Sequence, residues 1–218
     1  MDNNIKAFLV ISRFNEDISW INNYTSNYII YNKGEELPEQ YNQKIVPNFG
    51  ANQYDIFNYI YTNYNKLPAL IAFIQGNPFD HCLPERFNQL IQSESYTPLF
   101  GDANYPHGEY HETNNNWYID AGFNGHKPPS KFGSFDEYMN HMFEDYTPLD
   151  TLHFPPGSQL IVEKERCLFY SKKFWKKLMD VICHEEGMNG GREAHIIERS
   201  IQLIFENKYK EKHHVRTR

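Results

Sequence analysis

The chain has 218 residues, 40% hydrophobic and 16% aromatic, enough apolar material for one sizeable core and too aromatic for a disordered chain. A formal charge of −7 argues against a nucleic-acid-binding surface, which would present a basic face. Cys82, Cys167 and Cys183 show no Cys-x-x-Cys spacing, and no apolar run approaches the ~20 residues that span a bilayer, so the expectation is a reducing, cytoplasmic setting without a membrane span.

Ile5 to Ile11 is a nearly continuous β-branched and apolar run, the pattern of a central strand buried on both faces. It leads into Ser12-Arg13-Phe14-Asn15-Glu16-Asp17, where Asp17 is placed to cap a helix carrying Ile18, Ile21 and Tyr24. The turn after the first strand of a doubly wound sheet faces a nucleotide, so its polar side chains are candidate contacts. Short strands are expected at Tyr28 to Tyr31 and at Ile45-Val46. A helix follows from Asn52 to Tyr64, where Ile56, Phe57, Tyr59, Ile60 and Tyr64 recur at helical spacing.

Leu67-Pro68 then breaks the chain into a strand over Leu70 to Gln75, which stops at Gly76-Asn77-Pro78-Phe79 and presents Asp80 and His81 side by side. In open α/β sheets, ligands bind beyond the carboxyl ends of the strands. An aspartate and a histidine placed there suit a divalent cation that holds a phosphate. The competing reading makes Asp80 a cap for a helix near Pro84 and leaves His81 as a surface residue. The alternation of strand and helix indicates a largely parallel sheet with right-handed crossovers.

From Thr97 to Pro156 glycine, proline, asparagine, histidine and aromatic residues dominate, with one helix expected around Phe135 to Phe143. Long irregular loops rich in aromatics point to binding. A strand at Gly157 to Val162 precedes an amphipathic helix bearing Phe174, Trp175, Leu178, Met179 and Ile182. A glycine-rich turn leads to a last helix from Arg192 to Glu206. On that helix Ile197, Ile201 and Ile204 point one way, and His195, Glu198 and Arg199 cannot all share their face, so some polar groups turn toward the sheet. Arg192 and His195 lie near its N-terminus, where backbone N–H groups favour an anion; a solvent-facing salt-bridge stripe is the alternative. Residues 1–207 are expected to form one domain, with 208–218 a basic tail or a linker to further domains of a longer polypeptide.

Val10 to Trp20, Pro47-Asn48-Phe49-Gly50, Asn63 to Pro68 with Phe73 to His81, the strand and helix from Gly157 to Leu178, and Glu198-Arg199-Ser200 together resemble a known family. It is the GT-A-fold glycosyltransferase-like family that includes the amino-terminal domain of a chlorella-virus capsid-glycosylation protein. The resemblance spans nearly the whole chain and implies a Rossmann-like α/β fold with a mostly parallel mixed sheet of about six strands flanked by helices. It also implies a metal-dependent hexosyltransferase that moves a sugar from a nucleotide-sugar donor, a UDP-sugar by expectation, to a glycan or glycoprotein hydroxyl. A viral member would work in the host cytoplasm.

On this resemblance Asp80 ligates Mn2+ or Mg2+ with His195 or His81. Ser12, Arg13, Asn15 and Glu16, together with Asn77 and Arg192, hold the nucleotide. Glu198 and Glu193 are candidates for a catalytic base, with Asp120 and Asp150 also open, and Tyr105, Trp117, Tyr118 and Phe123 form the acceptor side. The sequence departs from the family at Gly50-Ala51-Asn52-Gln53, where relatives carry Gly-Arg-Glu-Ala, and it lacks a strict Asp-x-Asp. A non-catalytic nucleotide- or glycan-binding module of the same fold is the alternative. A metal-dependent hydrolase is disfavoured, because no His-x-His or His-Glu-x-x-His spacing occurs.

Overall fold

The structure, a computed structural model, describes residues 5–101, 111–112, 131–183 and 192–212. In chain order its elements are β1 (Phe8–Arg13), β2 (Tyr28–Asn32), β3 (Gln43–Ile45), α1 (Ala51–Asn63), β4 (Leu70–Gln75), α2 (Pro84–Leu90), β5 (Thr97–Pro98) and β6 (His111–Glu112). They continue with α3 (Phe135–Met142), β7 (Leu152–His153), β8 (Leu160–Glu163), α4 (Lys164–Leu168), α5 (Lys172–Ile182) and α6 (Arg192–Phe205).

Six strands form the main sheet in the order β3-β2-β1-β4-β8-β5, and β6 with β7 makes a separate two-stranded ribbon. β3, β2, β1 and β4 run parallel, while β8 is antiparallel to both β4 and β5. The chain therefore winds outward from β1 through β2 to β3 and returns to lay β4 on the opposite side of β1. Strand order reverses between β1 and β4, and a ligand crevice opens at such a reversal. This is a mixed α/β, Rossmann-like architecture. No described helix is long and apolar enough to cross a membrane.

Alternating side chains divide the core into two layers, as the two-residue period of a strand requires. Val10, Tyr31 and Phe73 face one side and pack with Phe57 and Ile60 of α1, Trp175 of α5 and Phe205 of α6. Leu9, Ile11, Ile30, Ala72 and Ile74 face the other and pack with Ile18, Trp20, Ile21, Phe87 and Ile91. On the first side the rings of Phe57 and Trp175 lie 5.8 Å apart, and those of Trp175 and Phe205 5.7 Å apart, so aromatic contacts join three helices.

Several sequence expectations shift. β1 begins at Phe8 rather than Ile5 and runs on through Ser12 and Arg13, because those two residues still pair with Tyr31 and Asn32 of β2 and Ser12 also pairs with Gln75 of β4. The expected helix after Asp17 is one 3-10 turn, Ser19–Asn23; the Asp17 carboxylate accepts from the Ser19 N–H and hydroxyl, each at 2.9 Å, and so makes a local turn instead of starting a long helix. β8 starts only at Leu160, since Gly157 and Ser158 have φ of 83° and 50°, outside the extended region.

The boundary at 207 also moves. Tyr209 is buried, its ring 5.6 Å from Phe143 and 5.3 Å from Tyr146, and its carbonyl accepts from the Tyr170 hydroxyl at 2.9 Å. Backbone bonds from Glu144 N–H to the Lys210 carbonyl and from Lys212 N–H to the Met142 carbonyl fasten 208–212 along the end of α3. Charge pattern hid this because one buried aromatic, rather than the lysines around it, decides where the segment lies. Residues 213–218 lie outside the described residues.

Candidate functional site

A cavity of about 330 Å3 opens at the carboxyl ends of β1 and β4, at the reversal of strand order. Its lining includes Ser12, Phe14 and Glu16 from the β1 side, Gln75, Asn77, Asp80 and His81 from the β4 side, and Lys33, Asn48 and Asn52 from between β2 and α1. A depression of about 500 Å3 at the opposite end of the strands carries Glu94, Glu163 and Glu165, and these carboxylates pair with Lys6, Arg166 and Lys164. The polar side chains that the fold gathers around a reversal point are on the first cavity.

The β1 wall is held together by bonds within the protein. Ser12 donates its hydroxyl to Asp55 Oδ2, and Lys33 Nζ sits 3.1 Å from the same oxygen, with both charged side chains almost wholly buried. Lys33 also donates to the carbonyls of Phe49, at 2.8 Å, and Ala51. Burial pushes the Asp55 carboxyl up to about 6, against the opposing pull of Lys33 and Ser12. Arg13 is buried and spends its guanidinium on Asn32 Oδ1 at 2.8 Å and on the carbonyls of Glu16, Phe14 and Glu35. Asn15 Oδ1 accepts from Glu35 N–H at 2.8 Å, and Glu16 Oε2 accepts from the N–H groups of Phe14 and Asn15 at 2.6 and 3.1 Å. The four polar residues expected to contact a nucleotide therefore build the wall, and Ser12, Arg13 and Glu16 also border the cavity.

The β4 wall delivers Asp80 and His81. Asn77 caps the turn by accepting from Phe79 N–H at 3.3 Å and donates to Asp80 Oδ1 at 2.6 Å, which fixes the carboxylate at the cavity. Asp80 does not cap α2, whose N-cap is Leu83. The His81 ring lies against Gly157, where an added Cβ would come within 2.5 Å of its Cδ2; the φ of 83° independently demands glycine there. Asn52 and Gln75 donate to the Gly157 carbonyl at 2.6 and 3.0 Å, and Gln53 donates to the buried Ser158 hydroxyl at 2.9 Å.

The last helix meets this junction from behind. Glu198 Oε1 accepts from Gly157 N–H at 2.6 Å, and its other oxygen lies 3.8 Å from both His195 Nδ1 and Arg199 Nη1. Burial alone would raise the Glu198 carboxyl, but the His195 and Gly157 hydrogen bonds and the Arg199 charge outweigh it and hold it below its ordinary range. An ionised, doubly engaged carboxylate is a weak proton acceptor. Glu193 is buried and accepts from Lys131 N–H at 2.8 Å. Both candidate bases thus serve as anchors.

Asp80 and His81 are brought together on the cavity, whereas His195 stands beside Glu198 and does not line it. Among the described residues no three His, Cys, Asp or Glu side chains converge as a metal-binding group. A carboxylate with an adjacent imidazole still fits Mn2+ or Mg2+, which fills most of its positions with water and phosphate oxygens. The Arg192 side chain, Asp120, Tyr105, Trp117, Tyr118 and Phe123 lie outside the described residues, and Asp150 is exposed and off the cavity. Lys33, Asn52, Gln53, Asp55 and Gly157 were not anticipated. Their signal was present in α1, where Asn52, Gln53 and Asp55 interrupt an otherwise apolar face.

A protein-family model described as "Protein of unknown function (DUF3431)" matches residues 9–217. No curated protein and no solved structure matches the chain.

Proposed function

We propose that this chain, which belongs to the DUF3431 family, is a GT-A-type glycosyltransferase that takes a nucleoside-diphosphate sugar into the cavity between β1 and β4. It would transfer the sugar to a glycan or glycoprotein hydroxyl, as the resemblance to the GT-A-fold glycosyltransferase-like family implies. The observation that supports this most is the placement of Asp80 and His81 beside a polar cavity at the reversal of strand order, where dinucleotide and mononucleotide ligands bind in open α/β sheets.

In this reading Asp80 and His81 hold a divalent cation, and Asn77 keeps the Asp80 carboxylate turned toward it. A bound Mn2+ or Mg2+ ion would offset the negative charge that develops on the departing diphosphate. Gly157 gives the His81 ring a fixed seat, and Asn52, Gln75 and Glu198 keep Gly157 in place from three directions. Support of this kind is what holds a binding group within a fraction of an ångström of its working position. His195 contributes through Glu198 rather than at the cavity. Tyr105, Trp117, Tyr118 and Phe123, which the sequence suggests for the acceptor side, lie outside the described residues.

The engagement of Glu193 and Glu198 favours one second reading, a nucleotide-binding module without turnover, because neither carboxylate is placed to accept a proton. Calorimetric titration of UDP, GDP, CDP and ADP with and without Mn2+ tests the shared premise: at least one should bind more tightly with the metal, and Asp80→Ala should abolish that gain without unfolding the protein. Metal-independent binding of all four, or none, ends the transferase proposal. Slow release of free sugar from the matching nucleotide sugar, seen with wild type and absent from Asp80→Ala, then separates enzyme from module.

A further inference from the structure

The polar residues from Ser12 to Asp17 are engaged in bonds within the protein, and the exposed apolar side chain between them is Phe14. Phe14 is 49% exposed and borders the cavity. The other exposed large apolar residues among those described, Ile45, Leu83, Leu168 and Phe169, do not border it. A single exposed apolar side chain needs no explanation by itself. What sets Phe14 apart is the fixing of its backbone.

Its N–H is held by Glu16 Oε2 at 2.6 Å, and its carbonyl lies 3.4 Å from Arg13 Nη1. Gly34 presses so closely that a Cβ there would stand 1.4 Å from the Phe14 carbonyl oxygen. Glu16 itself packs against Gly76 just beyond β4, where an added Cβ would approach its Oε2 to 2.6 Å. Two glycines, a buried arginine and a carboxylate thus lock a loop whose exposed product is one ring at the rim of a cavity. A ring on a rigid backbone loses little freedom when a flat partner covers it.

We infer that Phe14 is the stacking platform for the base of the nucleotide. This rests on the proposed function, which assigns the diphosphate to Asp80 and His81 on the β4 wall; the base then extends across the cavity to the β1 wall, where Phe14 stands. The engaged polar neighbours leave little for reading hydrogen bonds on the base edge, so the grip is on the face of the base and tolerates different bases. Base–aromatic stacking of this kind contributes about ten-fold or more to affinity.

The test compares UDP with inorganic pyrophosphate, each titrated calorimetrically in the presence of Mn2+ against wild type, Phe14→Ala and Phe14→Tyr. Phe14→Ala should weaken UDP about ten-fold and leave pyrophosphate unchanged, and Phe14→Tyr should restore UDP binding. UDP bound equally by wild type and Phe14→Ala overturns the inference alone. An equal loss for pyrophosphate overturns it too, since Phe14 would then shape the cavity rather than meet a base. If wild type binds pyrophosphate and not UDP, GDP, CDP or ADP, the base platform is excluded; if it binds none of the five, the proposed function itself fails.

Discussion

Lys33 and Asp55 form a buried ion pair directly behind the cavity wall, and their energetics follow from what surrounds them. Lys33 has three acceptors, the Phe49 and Ala51 carbonyls and Asp55 Oδ2, whereas Asp55 Oδ1 is buried without a donor among the described residues. A buried carboxylate with one unsatisfied oxygen is costly to ionise, and burial is the main reason its pKa rises from 3.8 to about 6. A raised folded-state pKa means that the folded protein binds the extra proton between those values, so this group's contribution to stability falls as pH rises from about 4 to 6, by roughly 2–3 kcal/mol. Urea denaturation across that range should show the decline, and Asp55→Asn should remove the slope. A second residue-scale outcome concerns Gly157: alanine there meets both a φ of 83° and the His81 ring, so Gly157→Ala should cost about 1–3 kcal/mol and weaken metal-dependent nucleotide binding, measured by calorimetry. Single residues were the least legible level of the sequence. Asp80 and His81 stood out because Gly and Pro punctuation ends a strand just before them, but nothing local marks Asp55 as the partner of Lys33 or Gly157 as the seat of His81. Those contacts join residues far apart in the chain, and only the crossovers bring them together.

Elements were read more fully, for a physical reason: strand and helix periodicity is written along the chain, while polar networks are written across it. β4, α1, α3, α5 and α6 all lie within a residue or two of their expected places, because each carries an apolar face that must be buried. The shifts occur where pairing or conformation overrides composition, as when Ser12 and Arg13 stay in β1 to complete its register, or when two positive-φ residues delay β8. α6 shows how an element can be placed correctly from its apolar face while the partners of its polar stripe stay open. Its carboxylates Glu193 and Glu198 turn inward to hold backbone N–H groups of Lys131 and Gly157, which ties the helix to both flanks of the site. Glu198 has a depressed pKa, so its stabilising contribution is present above its ordinary 4.5 and is lost as pH falls through the lower folded-state value. The low-pH limb of stability should therefore flatten in Glu198→Gln, checked by denaturation between pH 2 and 6; an unchanged limb would show that Glu198 does not link α6 to the Pro156-to-Ser158 turn.

At the scale of the whole molecule, the sheet order and the terminal strap answer two different questions. The order β3-β2-β1-β4-β8-β5 decides where the crevice opens, because it places a strand reversal between β1 and β4. The strap decides how the far layer is closed. Residues 208–212 cross from the end of α6 to the end of α3, and Tyr209 is the point at which they enter the core, 5% exposed between Phe143, Tyr146 and the backbone bond from Tyr170. Ser171, the N-cap of α5, is also held by Glu211, whose carboxylate accepts its N–H at 2.9 Å, so three helices depend on this one segment. Removing a buried aromatic ring leaves a cavity that neighbours refill only in part, and such truncations cost about 3–5 kcal/mol. Tyr209→Ala should therefore lower stability by about that amount in urea denaturation, even though it lies in a stretch whose lysines make it look like a solvated end. Lys208→Ala or Lys210→Ala, which remove charge and leave the ring in place, should change stability by less than about 0.5 kcal/mol. If Tyr209→Ala proves as mild as the lysine variants, the segment adds nothing to the fold and the domain does end at α6. If it is severe, any shorter version of this chain that stops at Phe205 should lose the α3 layer first, seen as early hydrogen exchange in 135–142 while β1 and β4 remain protected.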